Sequence, residues 1–342
     1  MSLKTVEIPQ WPYAYGGPSG VGKIRTDPED FIVNEVLSFE PSGEGEHVFL
    51  LIEKKGENTE FVARQLARFS GVRQRDIGYA GLKDRHAVTT QWFSVWLPGR
   101  QEPRWCELAS ESVKVLQSIR HARKLKRGVL SGNRFELTIR GWQGKETCLE
   151  DQLNRIKVGG VPNYFGEQRF GNQGQNVAKA LALFEGARFK REQKSLYLSA
   201  ARSFLFNHIL AERVKSANWN QAIDGDVFMF DGSRGFFKPD QIDSAILQRV
   251  ESCEIHPSAW LCGQGASEAS GQASAIESAV SERFDSMVCG LLDCGLESAR
   301  RALRMNATDL AWHFIARDRL QLKFTLPAGS YATALLREII ES

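Results

Sequence analysis

No run in this 342-residue chain approaches the roughly 20 consecutive apolar residues that a membrane-spanning helix needs, so no membrane partner is expected. The six cysteines (Cys106, Cys148, Cys253, Cys262, Cys289 and Cys294) contain no CxxC pair. The closest two, Cys289 and Cys294, have no histidine nearby to complete a metal-ligand set. The expectation is reduced, buried thiols in a cytoplasmic protein without a metal site. The stretch from Met1 to Pro9 lacks the apolar segment followed by small residues that marks a secretory leader. An excess of one charge is missing too. The net charge is +3, with 25% charged and 42% hydrophobic residues, as in ordinary globular proteins. The whole molecule is no polycation, so any binding of nucleic acid must rest on positive charge concentrated locally.

A chain of this length accommodates two domains at roughly 100–200 residues each. Up to residue 158 the pattern is mainly that of strands. Phe31 to Val36 and His47 to Glu53 are rich in β-formers and flank the turn cluster Pro41-Ser-Gly-Glu-Gly45. Gln91 to Leu97 alternates, with Phe93, Val95 and Leu97 opposite Trp92, Ser94 and Trp96. Arg134 to Arg140 alternates likewise, with Phe135, Leu137 and Ile139 on one side. Asn58 or Thr59 can cap a helix whose Val62, Leu66 and Phe69 share a face and which Gly71 can end.

From Gly159 the character turns helical. Helices are expected over 175–185, 195–215, 241–252 and 275–292, and Gly263 to Ala273 reads as a surface loop. Alternation returns from Leu320 to Leu326. A last helix after Ser330 would put Ala332, Leu335, Leu336, Ile339 and Ile340 on one face. The expected fold is therefore α+β. One domain, with a largely antiparallel or mixed sheet, is formed by both chain ends (1–158 and 305–342), and a helix-rich α+β domain is inserted over 159–304.

Gly17-Pro-Ser-Gly-Val-Gly-Lys23 fits the phosphate-loop spacing G-x-x-x-x-G-K, but Ile24 stands where the magnesium-binding Ser or Thr belongs. Pro28 also interrupts the helix that should follow, so a flexible glycine turn is the better reading. The stretch Gly78-Tyr-Ala-Gly-Leu-Lys-Asp-Arg-His-Ala-Val-Thr-Thr-Gln91 is more informative. It sets one carboxylate, Asp84, between Lys83 and Arg85, cations that favour its ionised form. An ionised carboxylate is a poor general base but a workable nucleophile at a sugar carbon. A surface-turn Asp is equally compatible with the local residues. Gly78, Ala80 and Gly81 leave room for another backbone to come close. Positive charge is concentrated between Ile119 and Gly128, where Arg120, Arg123, Lys124, Lys126 and Arg127 fall.

Gly81-Leu-Lys-Asp-Arg-His-Ala-Val-Thr-Thr-Gln91 resembles the catalytic tract of the TruD family of tRNA pseudouridine synthases. Four further tracts resemble that family in the right order: Pro28-Glu-Asp-Phe-Ile-Val33, Arg123-Lys-Leu-Lys-Arg-Gly-Val-Leu-Ser-Gly-Asn-Arg-Phe135, Gly160-Val-Pro-Asn-Tyr-Phe-Gly-Glu-Gln-Arg-Phe-Gly171 and Phe324-Thr-Leu-Pro-Ala-Gly-Ser-Tyr-Ala-Thr333. The resemblance implies conversion of uridine to pseudouridine in tRNA, at uridine 13 of the D arm, without cofactor or metal. It makes Asp84 the essential carboxylate, whether by adding to C1′ or by abstracting a sugar proton. It makes Phe31, Asn133 and Phe324 contacts of the substrate base or its nucleoside, with Lys83 and Phe135 beside them. A flipped uracil needs an aromatic face to stack on and an amide to pair with its edge. Arg25 stands where the family usually has Lys, and can pair with a carboxylate or a phosphate.

Arg123, Lys124, Lys126 and Arg127 are assigned to the RNA backbone, where affinity is mostly electrostatic. Tyr331 either shapes the pocket or anchors the last helix, and the aromatics of Asn163 to Gly171 suit a structural role. The expected protein is a cytoplasmic monomer acting on tRNA. Two alternatives remain. A non-catalytic RNA-binding protein would find Asp84 dispensable. A glycoside hydrolase would need a second acid such as Glu35.

Overall fold

The computed structural model describes residues 6–341. The chain first lays down seven strands: β1 (Gly20–Lys23), β2 (Phe31–Val36), β3 (His47–Lys55), β4 (Ile77–Tyr79), β5 (Val88–Trp96), β6 (Val113–His121) and β7 (Gly132–Gly144). Helix α1 (Thr59–Ser70) lies between β3 and β4. The Asn58 side chain accepts the Phe61 amide at its start, and Gly71 closes it in the left-handed region at φ +63°, where glycine meets no Cβ penalty. Alternation along β3 explains the packing. Val48, Leu50 and Ile52 meet Val62 and Leu66 of α1 together with Phe93 and Val95. Phe49, on the other face, clusters with Trp92, Ala80 and Leu125. With both faces covered, β5 is buried over nearly its whole length.

The middle of the chain holds α2 (Glu146–Gly159), β8 (Val161–Pro162), α3 (Gln175–Phe184), α4 (Arg191–Lys215), β9 (Val227–Phe230), β10 (Phe236–Phe237), α5 (Ser244–Glu251), β11 (Ile255–Leu261), α6 (Gly271–Arg283), α7 (Asp285–Asp293), β12 (Ala299–Ala302) and β13 (Arg304–Met305). Four strands form a sheet in the order β10-β9-β11-β12, and β8 pairs with β13. The helix predicted over 275–292 is two helices that meet at Phe284, and α6 begins at Gly271, inside the predicted loop. Tyr164, Phe165 and Phe170 are buried, and Asn207 brackets Phe165 by accepting its amide and donating to its carbonyl.

The chain then adds β14 (Thr308–Ala316), β15 (Arg319–Pro327), α8 (Ala332–Ile339) and β16 (Ile340–Glu341). The large sheet has ten strands. Its main path runs β14-β15-β7-β2-β5-β3-β6, with β1 joining β7 and β16, and β4 joining β5. Pairs β2–β5 and β1–β16 are parallel and the others antiparallel, so the sheet is mixed and both chain ends contribute to it. The expected α+β architecture with its helix-rich insertion is therefore present. Compactness divides the chain into two units, 20–146 with 307–329 and 340–341, and 6–19 with 147–306 and 330–339.

Two sequence readings need correction. Gly20–Lys23 is not a flexible turn but strand β1. A Cβ on Gly20 would lie 2.6 Å from the Trp142 ring and one on Gly22 2.5 Å from Ile139, so these glycines serve close strand packing. The cysteines are mostly not buried. Cys262 is, but Cys106, Cys148 and Cys289 are exposed, and Cys148 lies off the buried stripe of α2 formed by Leu149, Leu153 and Ile156. No helix among the described residues is long and apolar enough to cross a membrane.

Candidate active site

Between β4 and β5 the chain from Gly81 to Ala87 has no regular structure, yet it is pinned at several points. Gln91 Nε2 donates to the Gly81 carbonyl (2.6 Å). Thr59 Oγ1 donates to Gln91 Oε1 (3.0 Å) and accepts the Lys83 amide (3.0 Å). The Lys83 side chain turns inward, with only 9% of its surface exposed. Its ammonium pairs with Glu35 Oε1 at 2.7 Å and donates to Asn133 Oδ1 at 2.8 Å. Glu35 and Asn133 are register partners across β2 and β7, so the sheet itself brings the two acceptors together. Glu35 Oε2 also accepts the Trp92 amide at 3.0 Å. Burial raises the pKa of the Glu35 carboxyl, and Lys83 opposes that shift. A carboxylate committed in this way cannot serve as the second acid of a glycoside hydrolase.

Asp84, the next residue, faces outward with about a third of its side chain exposed. Its Oδ1 accepts the His86 amide at 2.9 Å and its Oδ2 pairs with Arg25 Nη2 at 3.0 Å. The cation on Asp84 is thus Arg25 rather than a sequence neighbour. Lys83 is committed to Glu35 and Asn133, and Arg85 Nε donates to the Gly56 carbonyl (3.2 Å). Each flanking cation has its own partner, so adjacency in sequence did not translate into contact. Arg25 itself holds φ +59°, a left-handed conformation that costs a non-glycine residue about 1–3 kcal/mol. The Asp84 pair and a seat over the Phe31 ring, 4.1 Å from its centroid, offset that cost.

The aromatic candidates form one row on the sheet face that carries Glu35 and Asn133. Phe324 is the register partner of Phe135, Val33 also pairs with Phe135, and Phe31 lies two residues before Val33. Phe135 stacks on Phe324 at 5.3 Å and meets Phe31 edge-on at 6.2 Å. Phe324 is fully buried and Phe31 and Phe135 nearly so. The ring face of Phe31 that Arg25 covers is the one beside Asp84's partner. Tyr331 meets Phe165 edge-on at 6.1 Å within the helix-rich unit.

The basic segment is a loop between β6 and β7. Arg123, Lys126 and Arg127 are exposed, and Lys124 donates to the Arg75 carbonyl. No carboxylate pairs with any of the four among the described residues. The loop is held by the Leu125 amide, which donates to Ser94 Oγ at 3.0 Å, and by Gly78, where a Cβ would fall 2.4 Å from the Leu125 carbonyl oxygen. This is the close backbone approach that the glycine-rich tract anticipated.

Sequence reasoning missed Lys54 and the pairing of Glu35 with Lys83. Lys54 ends a strand of otherwise ordinary alternation and carries no local motif. It is fully buried and donates to the Glu57 (2.7 Å) and Asp84 (3.2 Å) carbonyls, so it fixes the backbone of Asp84. Burial brings the Lys54 ammonium down to about 8, against the pull of Asp84. Among the described residues no three His, Cys, Asp or Glu side chains form a group that could hold a metal ion.

Two outcomes follow from these contacts. Lys83→Met leaves the Glu35 carboxylate buried without its counter-charge and should cost about 3–5 kcal/mol in denaturant unfolding. Arg85→Met, one turn of the backbone away on the surface, should cost less than about 0.5 kcal/mol. Equal costs for the two would contradict the inward assignment of Lys83. The unfolded chain keeps the Lys54 proton up to its ordinary value of 10.5, whereas the folded chain releases it near about 8. Between these values the unfolded state binds more protons, so the contribution of Lys54 to stability rises with pH. Unfolding free energies measured from about pH 7 to about pH 10 should rise in the native chain relative to Lys54→Met, and parallel curves would refute the depressed ammonium.

The family model for tRNA pseudouridine synthase D (TruD) matches residues 8–186 and 173–339. A tRNA pseudouridine synthase D from Methylococcus capsulatus is 52% identical over 332 residues, covering 96% of this chain and 94% of that protein. One from Nitrosococcus oceani is 50% identical over 346 residues, covering 99% and 97%. Among solved structures, a Methanosarcina mazei protein bearing the TruD name superposes with a TM-score of 0.73 over 96% of this chain and 95% of its own. At 24% identity that likeness speaks for the fold alone. With the family model spanning almost the whole sequence and relatives at half identity end to end, this chain belongs to the TruD family of tRNA pseudouridine synthases.

Proposed function

We propose that this protein isomerises uridine to pseudouridine in tRNA, at uridine 13 of the D arm, with Asp84 as the essential carboxylate. Family membership supports the reaction. The observation that supports the residue is an outward-facing carboxylate fixed at both oxygens, Oδ1 by the His86 amide and Oδ2 by Arg25, on a loop pinned beside Asn133.

In the reaction the N1–C1′ bond breaks, the uracil turns while held, a C5–C1′ bond forms, the C5 proton is lost and N1 takes up a proton, so that product and substrate are isomers. The chain's residues then have three tasks. Asp84 acts at the ribose, with its orientation set before substrate arrives. Asn133 reads the base. Because Lys83 donates to its Oδ1, the amide is locked with Nδ2 left to donate, which fits a uracil carbonyl and opposes the amino group that cytosine carries at C4. The buried row of Phe31, Phe135 and Phe324 backs this site, and a base stacking on Phe31 must displace the Arg25 guanidinium from the ring. Arg123, Lys124, Lys126 and Arg127 bind phosphates, and the inserted residues 159–304 grip the body of the tRNA. Everting a nucleotide costs a few kcal/mol, which such backbone contacts offset.

Asp84→Asn removes the charge and keeps the shape. It should fold and bind tRNA like the native chain while single-turnover formation of pseudouridine falls on the order of 10³-fold or more. Native-like turnover from this variant would remove Asp84 from the chemistry and favour a different acting group. Nucleotide-resolution mapping of the product should give position 13, and modification elsewhere would overturn the assigned target.

A further inference from the structure

An open concave site lies in the sheet unit between the chain around Arg75 to Tyr79 and the basic loop. It is a cavity of about 390 Å³ whose walls include Arg75, Ile77, Tyr79, Lys124, Lys126 and Arg127. That volume falls within the roughly 300–1,000 Å³ of small-ligand sites. We propose that this cavity binds one unpaired nucleotide of the tRNA, flanking the modified uridine, with its base on Tyr79 and its phosphate among the surrounding cations. This inference rests on the proposed reaction and names a subsite for its RNA substrate.

Three features point to a nucleotide rather than a bare anion. Tyr79 offers a partly buried aromatic ring that packs on the core beside Phe93, at 6.1 Å. Buried Ile77 supplies an apolar wall beside it. The Arg127 guanidinium rests 5.6 Å from the Tyr79 centroid and reaches its hydroxyl only at 3.5 Å, so it is loosely held and can swing to a phosphate while a base takes its place on the ring. Aromatic stacking combined with arginine and lysine is how proteins hold single-stranded RNA.

The charges are uncompensated. Arg75, Lys124, Lys126 and Arg127 form no ion pair among the described residues, and the acid next to Arg75, Asp76, is held by Arg73 at 3.2 Å. The cavity is open to the surface and is assembled from two segments of the chain. Gly78 lets the basic loop approach β4, where any Cβ would strike the Leu125 carbonyl, and Gly128 donates to the Ala80 carbonyl at 2.8 Å. Tyr79 precedes Asp84 by five residues, which span at most about 18 Å of extended chain, within reach of a short single-stranded stretch.

The test places 2-aminopurine, one position at a time, within about four nucleotides of the modified uridine in a tRNA transcript. Fluorescence is then read on binding to the full-length protein. One position should be quenched by the native chain and regain its emission with Tyr79→Ala and with Arg127→Ala. Tyr79→Phe, which keeps the stacking face, should retain the quench. Affinity should fall about tenfold in Tyr79→Ala. Arg127→Ala leaves the packing of Tyr79 on the core and Phe93 in place and guards against a folding defect at Tyr79. If no position distinguishes the native chain from both alanine variants, or if Lys126→Glu alone reproduces every loss, the cavity binds charge and not a base, and the inference fails. Native protein that forms no pseudouridine would instead refute the proposed reaction.

Discussion

A buried ammonium with two acceptors governs how this site is built. Strands β2 and β7 place Glu35 and Asn133 opposite one another, and the sheet supplies Glu35 with one partner, the Trp92 amide on Oε2, leaving Oε1 and the Asn133 oxygen to be met from elsewhere. Lys83 fills that gap from a loop, at 2.7 Å and 2.8 Å. A buried carboxylate without a counter-charge is strongly destabilising, so the loop has one low-energy anchorage. Once Lys83 points inward, Asp84 faces out. Lys54 then holds the Asp84 carbonyl from below, and Arg25 and the His86 amide hold its carboxylate. The reactive group of the proposed chemistry is oriented by contacts none of which comes from its flanking cations.

Arg25 joins two parts of the same site. Its strained backbone conformation is maintained by the ion pair with Asp84 and by the ring of Phe31, so substrate entry at either contact disturbs the other. In the proposed reaction this couples arrival of the base to release of the carboxylate. The basic loop is built on the same framework, since Gly128 docks on Ala80 in the chain that leaves β4 toward Asp84, close to where Leu125 packs on Gly78 and Ser94. The proposed contacts to RNA and the orientation of the carboxylate thus share one short segment, residues 78–86.

Much of the fold was legible because it follows local rules. Alternation located β5, β7 and β15, and the Asn58 and Gly71 caps located α1. The return of strand character after residue 305 revealed that both chain ends build one sheet. What escaped notice depended on contacts across the sheet. Glycines in β1 looked like a turn because the ring of Trp142, which forbids a Cβ there, is far away in sequence. The short strands β9, β11 and β12 went unassigned among the helices, since β11 finds β9 across α5 and β12 across α6 and α7. At the proposed site, Asp84 stood out by its own surroundings and Asn133 and Arg25 were named through the family resemblance; Arg25 pairs with Asp84, and Lys83, the residue before it, bonds Asn133. Lys54 was not found, because a lysine at the end of a strand gives no sign that it will be buried. The cations drawn to Asp84 by adjacency turned elsewhere because Glu35 and Asn133 hold Lys83 and the Gly56 carbonyl holds Arg85, partners distant in sequence.

The most direct measurement is a crystal structure of the Asp84→Asn variant bound to a tRNA D-arm fragment. The account predicts an everted uridine whose C1′ lies about 3–3.5 Å from the residue 84 side chain, with the Asn133 Nδ2 donating to a uracil carbonyl and Arg25 moved off Phe31. A fragment bound in register with its uridine still stacked in the helix, or everted at a place remote from residue 84, would contradict it.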